Sequence, residues 1–286
     1  MTDRLRLAVP NKGRLLEPSL ALLRDAGYSF EDRERALVAR VRNAEVDILF
    51  VRTGDVVEFV ADGVADLGIT GSDLLAESGA PLEVVRRLGF GKCRLAVAVP
   101  EDAPDGDVAA LAGRRVATSH PRIARRWFAD RAILVEVVPL SGSVEVAPRL
   151  GLADAIVDLV SSGSTLAMNG LREIADVLEA EATLVASAAA LGARPREIAS
   201  LDLMLGAAVA ARGKRYVMMN APEDRLATIE ALIPGLESPS VLRLSHAGMI
   251  AIHVVVDADS IADLLPRLRS VGASGILVLP IEQLVA

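Results

Sequence analysis

The sequence predicts an α/β protein with an additional α+β module at its C-terminal end. Strand-like and helix-like segments alternate through the first two thirds of the 286 residues, as is typical of βαβ units. Hydrophobic residues make up 52% of the chain and aromatic residues only 3%, so we expect a core of Ala, Val, Leu and Ile, as in α/β layers. From Arg215 onward the order is βαββαβ, which is the order of a ferredoxin-like module.

The elements of the α/β region follow one another as short segments, and their strands are expected to pair mostly in parallel. Strands are predicted at 5–9, 46–51, 66–70, 82–88, 94–99, 115–118, 134–138 and 155–159. Helices are predicted at 15–26, at 55–62, from Ser72 or Asp73 onward, at 123–130 and at 144–150. Pro18 falls in the first turn of its helix, where no N–H group is needed, and Gly63 ends the second helix.

The C-terminal module has four predicted strands and two predicted helices. The strands are at 215–220, 241–244, 249–256 and 275–279, and the helices are at 223–232 and 260–270. A connector rich in Pro, Gly and Ser, PGLESPS, occupies 234–240.

The length of the chain predicts two or three domains rather than one. We expect a first lobe from residues 1–90 and 180–211, a second lobe from 91–179, and a C-terminal domain from 212–286. The lobes would be joined near residues 89–92 and again near 178–183. A cleft between two such lobes is a common place for a small-molecule site.

Composition and charge exclude several classes of function. A net charge of −7 argues against a nucleic-acid-binding surface, and the single cysteine, Cys93, excludes an intrachain disulfide. The N-terminal segment resembles a strand rather than a signal peptide, and the apolar run 201–211 is too short to span a bilayer. We therefore expect a soluble cytoplasmic protein that acts on small molecules, with no nucleic-acid or membrane partner.

The segment that follows the strand at 155–159 is the most informative one for function. Asp158 lies at the end of this apolar run, and the small residues Ser161, Ser162, Gly163, Ser164 and Thr165 follow before the next helix. Such a loop can direct backbone N–H groups and hydroxyls toward a phosphate, and a carboxylate after a strand can bind ribose hydroxyls. The segment thus predicts a site for a phosphorylated ribose, although an ordinary helix-capping turn has the same composition.

Cations follow two other predicted strands. Lys12 and Arg14 lie on the turn after the first strand, and Arg52 follows the strand at 46–51. Cations at these places can meet phosphates at the mouth of an α/β cleft. Each of them is also compatible with a solvated surface charge.

The sequence resembles the ATP phosphoribosyltransferase family over nearly its whole length. The string EVAPRLGLADAIVDLVSSGSTL at 145–166 resembles the signature of that family. Further similar blocks are PNKGRL at 10–15, ADLGITGSDLL at 65–75, FGKCRLAVAVP at 90–100, ATSHP at 117–121 and SGSVEVAP at 141–148. The blocks KRYVMMNAP, PGLESPS and GASGILVLPIE resemble the regulatory domain of the long form of the family. The resemblance implies two lobes similar to those of periplasmic binding proteins, followed by a ferredoxin-like regulatory domain.

The resemblance implies the first reaction of histidine biosynthesis. N1 of the adenine of ATP attacks C1 of phosphoribosyl pyrophosphate and expels pyrophosphate, giving phosphoribosyl-ATP. The resemblance implies Mg²⁺ as well, held mainly by the substrate phosphates with at most one carboxylate, because no cluster in the sequence has the spacing of a protein-only metal site.

The resemblance also implies roles for individual residues. Arg14 and Arg52 are candidates to stabilise the leaving pyrophosphate, and Lys12, Asp158 and the loop 161–165 are candidates to bind phosphoribosyl pyrophosphate. The candidates for ATP binding are Gly71, Ser72, Asp73, Arg94, Thr118, Ser119 and Glu145. Gly71, Ser72 and Asp73 are also suited to begin a helix, and Glu145 is suited to orient ribose, to orient the substrate amine or to cap a helix. His120 precedes Pro121 in a turn that would line the cleft.

In the long form of the family the C-terminal domain binds L-histidine, which inhibits the enzyme. The matching positions in this sequence are Asn220, Ser240 and Gly275, which are also ordinary turn residues. The resemblance further implies dimers that assemble into hexamers. Two other functions remain open from the sequence, namely a two-lobed small-molecule carrier and a regulatory subunit without catalysis.

Overall fold

The computed structural model describes residues 4–31, 36–104, 107–233 and 239–285. The chain forms two compact units. The larger unit comprises the residues up to Arg24 together with Tyr28–Asp202, and the smaller unit comprises Asp25–Gly27 and the residues from Leu203 onward.

The larger unit contains eleven strands in its described residues. It also contains seven helices, the last of them only in part. The strands are β1 Leu5–Pro10, β2 Val38–Arg40, β3 Val46–Val51, β4 Leu67–Gly71, β5 Leu82–Arg87, β6 Cys93–Pro100, β7 Arg115–Thr118, β8 Glu136–Pro139, β9 Ala155–Val160, β10 Leu171–Ala180 and β11 Ala182–Ser187. The helices are α1 Leu16–Asp25, α2 Val56–Ala61, α3 Ser72–Ser78, α4 Pro121–Ala129, α5 Ser164–Met168, α6 Ala188–Ala193 and α7 Pro195–Ala211, of which the last continues into the smaller unit.

These strands form two sheets, each the centre of one lobe. The first lobe has the strand order β2-β3-β1-β4-β11-β5, and the second lobe has the order β10-β6-β9-β7-β8. Their cores consist mostly of aliphatic residues and Ala, as the composition predicts, with Phe50 buried in the first lobe and Trp127 and Phe128 in the second. The α/β class and the two lobes are thereby confirmed.

The prediction of mostly parallel pairing is wrong. Only β1–β3, β1–β4, β7–β8 and β7–β9 are parallel, whereas the other five pairs of the two sheets are antiparallel. Three of the antiparallel pairs involve β10 or β11, the strands through which the chain returns from the second sheet to the first, and the other two are β2–β3 and β6–β9. Neither strand was predicted from the sequence, and neither were β2, α6 and α7.

Parallel pairing places functional turns at common edges of the sheets. Strands β3, β1 and β4 are parallel neighbours, so the turns after them lie at one edge of the first sheet. Strands β9, β7 and β8 are also parallel neighbours, so the turns after them lie at one edge of the second sheet. Apart from Arg94, which lies in β6, the predicted site residues of the two lobes end or follow the parallel strands β1, β3, β4, β7, β8 and β9, and each lobe therefore collects most of them at one edge.

The chain crosses between the lobes twice, and the two crossings are hydrogen-bonded to each other. The Leu88 N–H donates to the Ala182 carbonyl at 2.9 Å, and the Ala182 N–H donates to the Phe90 carbonyl at 2.9 Å. The Ser72 N–H donates to the Glu181 carbonyl at 2.9 Å, which ties the start of α3 to the second crossing.

The predicted helix at 144–150 is also wrong. The structure has a single 3₁₀ turn, Val144–Val146, followed by further turns to Gly151. Pro148 accounts for the difference, because it lacks the N–H group that a continuing helix requires.

The smaller unit is a four-stranded antiparallel sheet with the order β13-β14-β12-β15. Its elements are β12 Lys214–Pro222, α8 Leu226–Leu232, β13 Ser240–Arg243, β14 Met249–Asp257, α9 Ile261–Ser270 and β15 Ser274–Pro280. Buried residues of the sheet, such as Val217 and Ile252, form a core with Ile229 of α8 and Leu268 of α9. The βαββαβ order and the ferredoxin-like module are confirmed, while the predicted connector at 234–240 lies mostly outside the described residues.

Candidate active site

The loop after β9 presents hydroxyl groups at the protein surface. Ser161, Ser162, Ser164 and Thr165 are exposed, and the hydroxyls of Ser162 and Ser164 are hydrogen-bonded to each other at 2.9 Å. Gly163 has φ of +79°, a left-handed conformation that lets the chain turn sharply from the strand into α5. The loop therefore exposes several hydroxyls on a sharp turn, and its binding of a phosphate stays a prediction.

Two carboxylates, Asp158 and Glu145, lie beside this loop. Burial raises the pKa of Asp158, and the charge of Glu145 raises it further, against the lowering effects of the Leu159 N–H and of His120. The Leu159 N–H donates to Asp158 Oδ1 at 2.8 Å. The structure thus brings Asp158 and Glu145 together, although Glu145 lies on a 3₁₀ turn instead of a helix. Two neighbouring negative charges suit a ligand that carries positive charge.

The three predicted cations of the first lobe lie on adjoining turns. Lys12 and Arg52 are exposed, and the Thr53 hydroxyl donates to the Lys12 carbonyl at 3.3 Å, which joins the turns after β1 and β3. Arg14 Nη1 donates to the Gly91 carbonyl at 3.2 Å, and its side chain is 39% exposed. These cations remain accessible to a polyphosphate.

Asp73 and His120 form a buried pair between the two lobes. His120 Nε2 lies 3.3 Å from Asp73 Oδ2, and the other ring nitrogen, Nδ1, lies 3.0 Å from the Ser119 hydroxyl. The His120 N–H donates to the hydroxyl of Thr118, which is fully buried at the end of β7. The sequence placed each of these residues near the cleft, but it did not predict this pairing.

The guanidinium of Arg94, a predicted ATP contact, is engaged with two carboxylates of β10. It lies 2.5 Å from Glu173 and 3.0 Å from Asp176. Glu173 also approaches the loop after β9, because a Cβ atom on Gly163 would lie 3.2 Å from Glu173 Oε1. Arg94 is thereby held next to the predicted phosphate loop.

Residues of both lobes line an open cavity of about 520 Å³. It is lined by Ser72, Arg87, Lys92, Cys93, Arg94, Ser161, Glu179, Ala180 and Glu181. Three of these, Ser72, Arg94 and Ser161, were predicted as site residues, whereas Arg87 and Lys92 were missed. Their position next to the first crossing between the lobes was the signal in the sequence that could have identified them.

Two of the ATP candidates have structural partners of their own. The Ser72 hydroxyl accepts a hydrogen bond from the Glu181 N–H at 3.2 Å. Asp73 is only 1% exposed, and its burial against Gly71 leaves no carboxylate surface open to a ligand in this conformation. A direct contact of Asp73 with ATP therefore stays a prediction that requires it to be uncovered.

In the smaller unit the three predicted histidine-binding residues are divided between two places. The Asn220 amide nitrogen would lie 3.5 Å from a Cβ atom on Gly275, so these two residues are neighbours on β12 and β15. Ser240 lies on the edge strand β13, opposite His253 of β14. The Tyr216 hydroxyl is 2.8 Å from His253 Nδ1, so Tyr216 and His253 lie on the same side of the sheet.

Among the residues that the structure describes, no group of three or more His, Cys, Asp and Glu side chains is arranged to hold a metal ion. Within the same ranges, every helix is too short or too polar to pass through a bilayer.

Comparisons with known proteins agree with this geometry. Residues 52–206 match the family described as ATP phosphoribosyltransferase, and residues 211–283 match the family described as HisG, C-terminal domain. Curated relatives include the ATP phosphoribosyltransferases of Methanocella arvoryzae, 43% identical over 98% of this chain and 99% of the relative, and of Gemmatimonas aurantiaca, 45% identical over the same shares.

Solved structures show the same fold. The ATP phosphoribosyl transferase (HisG:HisZ) complex from Thermotoga maritima matches with a TM-score of 0.62 and 29% identity over 71% of this chain and 96% of the other. A periplasmic sulfonate-binding protein from Methylobacillus flagellatus KT matches with a TM-score of 0.50 and 16% identity over 71% of this chain and 67% of the other, which is a likeness of fold alone. From the family matches and the full-length relatives, we conclude that the chain belongs to the ATP phosphoribosyltransferase family.

Proposed function

We propose that the protein condenses ATP with phosphoribosyl pyrophosphate, the first step of histidine biosynthesis. The bond between adenine N1 and ribose C1 forms as the bond between C1 and the pyrophosphate oxygen breaks, and the products are phosphoribosyl-ATP and pyrophosphate. The observation that carries the proposal is the cavity lined by Ser161 of the loop 161–165 together with Ser72 and Arg94. A ribose phosphate on the loop and a nucleotide along the cavity would adjoin there.

The chemistry requires positioning and charge stabilisation rather than a strong base, because adenine N1 carries its own lone pair. The hydroxyls and backbone of residues 161–165 bind the 5-phosphate, and Asp158 binds the ribose hydroxyls. As C1 loses its leaving group, the ribose becomes positively charged. The neighbouring carboxylates of Asp158 and Glu145 stabilise that charge.

The leaving pyrophosphate gains negative charge at the same time. Arg14 and Arg52 meet this charge, and Lys12 binds the polyphosphate of the bound substrate. All three side chains are exposed on turns at one edge of the first sheet, so their donors are available to phosphate oxygens. Ser72, Arg94 and Ser119 line the proposed path of ATP, whereas Gly71 and Thr118 are buried and would support that path from beneath.

We propose that Mg²⁺ enters with the polyphosphates. The donor set fits this mode of binding, because the described residues offer no group of three or more side chains arranged to hold an ion without substrate. The ion, when bound, neutralises phosphate charge and favours departure of pyrophosphate. The cations of the first lobe add to that neutralisation from the protein side.

We propose that residues 212–286 regulate the enzyme by binding L-histidine. Asn220 and Gly275 form one corner of the candidate site, and Ser240 lies on the edge strand of the same sheet. Inhibition requires that histidine binds one global state of the enzyme better than another. Symmetric assembly, from dimers to hexamers, is compatible with the exposed edge strands β13 and β15.

A coupled assay for phosphoribosyl-ATP and pyrophosphate tests the proposed function. The purified full chain should form both products in equal amounts from ATP, phosphoribosyl pyrophosphate and Mg²⁺, without a second protein. Arg52→Ala should lower the rate by about 10-fold to 1000-fold, as loss of a charge-stabilising donor does. Arg126→Ala, a matched exposed arginine on α4, should not change the rate. Binding of both substrates without any product would contradict the proposal and favour a carrier.

A further inference from the structure

We propose that His120 is a positioning residue for the transfer reaction: from the second lobe it fixes Asp73, whose remaining carboxylate oxygen orients Arg14 toward the leaving pyrophosphate. The inference rests on the proposed function, in which Arg14 stabilises that group. It assigns His120 a role that does not require contact with substrate.

The contact between the lobes is short and shielded from water. Asp73 follows β4 of the first lobe, His120 follows β7 of the second, and their side chains are 2% and 4% exposed. His120 Nε2 and Asp73 Oδ2 lie 3.3 Å apart. A hydrogen bond to a charged group in so dry a place depends strongly on geometry, so a change in lobe arrangement would break it.

Both ring nitrogens of His120 are engaged by polar groups of the described chain. Burial by itself raises the pKa of Asp73, but the hydrogen bond and charge of His120, together with the charge of Arg14, lower it below the ordinary value of 3.8. Asp73 is therefore ionised at neutral pH, and its Oδ2 is the acceptor that faces His120 Nε2. The other ring nitrogen, His120 Nδ1, lies 3.0 Å from the Ser119 hydroxyl.

The second oxygen of Asp73 is the feature that points to Arg14. Oδ1 is buried and has no hydrogen-bond partner in the described part of the chain, which is costly for an ionised carboxylate. Arg14 Nη2 lies 4.0 Å away, so a shift of about 1 Å would form a hydrogen bond of ordinary length. Arg14 Nη1 donates to the Gly91 carbonyl at 3.2 Å, at the first crossing between the lobes.

Arg14 is thus approached from two sides. Its Nη1 donates to the Gly91 carbonyl, its Nη2 lies 4.0 Å from Asp73 Oδ1, and the exposed part of the guanidinium is open to phosphate oxygens. Because His120 holds Asp73 from the second lobe, Arg14 takes its working orientation only when the lobes are correctly arranged. The arrangement couples the position of a first-lobe cation to the presence of the second lobe.

A double-mutant cycle separates this role from simple structural support. His120→Leu should lower kcat by about 10-fold to 100-fold and weaken the binding of pyrophosphate alone, measured by calorimetry, by a similar factor. In an Arg14→Ala background the same substitution should change either quantity by less than about 3-fold, because the residue through which His120 acts is already gone. His120→Gln, whose amide can donate to Asp73, should restore most of the wild-type rate.

Glu77 provides a matched control at the same boundary between lobes. Its carboxylate accepts hydrogen bonds from the N–H groups of Arg122 and Ile123 at 2.8 and 2.9 Å, but it is not in contact with Arg14. The effect of Glu77→Gln on kcat should be the same factor in the wild-type and Arg14→Ala backgrounds. Equal factors for His120→Leu in the two backgrounds would overturn the inference.

Two further measurements keep the test decisive. The melting curve of His120→Leu shows whether this variant folds. If it does not, Asp73→Asn replaces it in the same cycle, because this substitution keeps the shape of the side chain and removes its charge. If the wild type binds pyrophosphate but forms no phosphoribosyl-ATP, the proposed function fails, while the calorimetric arms still decide whether His120 acts through Arg14.

Discussion

Replacing Gly163 with alanine tests whether the loop at 161–165 must keep its shape to bind phosphoribosyl pyrophosphate. Gly163 has φ of +79° and ψ of −6°, a left-handed conformation that alanine adopts only under strain. A Cβ atom there would also lie 3.2 Å from Glu173 Oε1. Glu173 cannot move away freely, because it is bound to the Arg94 guanidinium.

The structure sets the size of the expected effect. A left-handed conformation costs a residue other than glycine about 1–2 kcal/mol, before any contribution from the contact with Glu173. The loop is exposed, so Gly163→Ala can relieve this strain by changing the loop locally instead of unfolding the protein. Restoring the binding shape would then consume binding energy, which corresponds to about a 5-fold to 30-fold increase in KM for phosphoribosyl pyrophosphate.

Steady-state kinetics with each substrate varied in turn provide the assay. KM for phosphoribosyl pyrophosphate should rise in Gly163→Ala, whereas the melting temperature should change little. Gly170 is a matched control, because it also has positive φ, +66°, at the other end of α5, and a Cβ atom there would meet no described atom within 4 Å. Gly170→Ala carries the same kind of strain outside the loop and should leave KM unchanged. Similar values of KM for both variants would refute the reasoning.

Two other substitutions test the site and the regulatory domain. Asp158→Asn should raise the melting temperature of the free protein at neutral pH and lower kcat/KM. Burial and Glu145 raise the pKa of Asp158, so the folded state binds its proton more tightly than the unfolded state and stability falls as pH rises from 3.8 through the raised value. The gain should vanish at lower pH in melting curves, and a gain that persists there would contradict this cause. Asn220→Ala should raise the histidine concentration for half inhibition by about 10-fold, since a hydrogen bond to a charged ligand is lost. Asp224→Ala, at an exposed position of the same unit, should not do so, and equal shifts would exclude Asn220 from the site.

Much of the site could be predicted because it lies directly after strands. A buried strand such as β9 reads as an apolar run, and the change to Ser and Gly after Val160 marks its end without any knowledge of the fold. Parallel pairing then brings such ends to one edge of a sheet. Local pattern and a general rule of sheet geometry were sufficient to place the loop 161–165 at the end of a strand, while its role in binding stays a prediction.

The strands β10 and β11 could not be predicted by the same means. β10 carries Glu173, Asp176 and Glu179 at intervals of three residues, a spacing that does not follow the alternation of a half-buried strand. The register shifts that interrupt its pairing with β6 account for the irregular pattern. Because these strands carry the chain back to the first lobe, missing them also led to the wrong expectation of mostly parallel pairing.

The pair of Asp73 and His120 marks a different limit. The two residues are 47 positions apart, and the strands that they follow belong to different sheets. Their contact therefore depends on how the lobes are arranged. Each residue alone is compatible with a simple local role, Asp73 near the start of a helix and His120 in a turn before proline. Only the three-dimensional structure shows that one carboxylate oxygen is occupied from the second lobe while the other has no hydrogen-bond partner among the described residues.

The division of charge between the lobes matches the division of charge in the proposed reaction. The turns of the first lobe carry the cations Lys12, Arg14 and Arg52, whereas the second lobe carries Asp158 and Glu145 beside the hydroxyl-rich loop. In the transition state the pyrophosphate becomes more negative and the ribose more positive, so the breaking bond is stabilised best when it lies between the lobes. If these residues act as proposed, catalysis should depend on the relative position of the lobes. The buried contact of Asp73 with His120 would then make the orientation of Arg14 depend on that position.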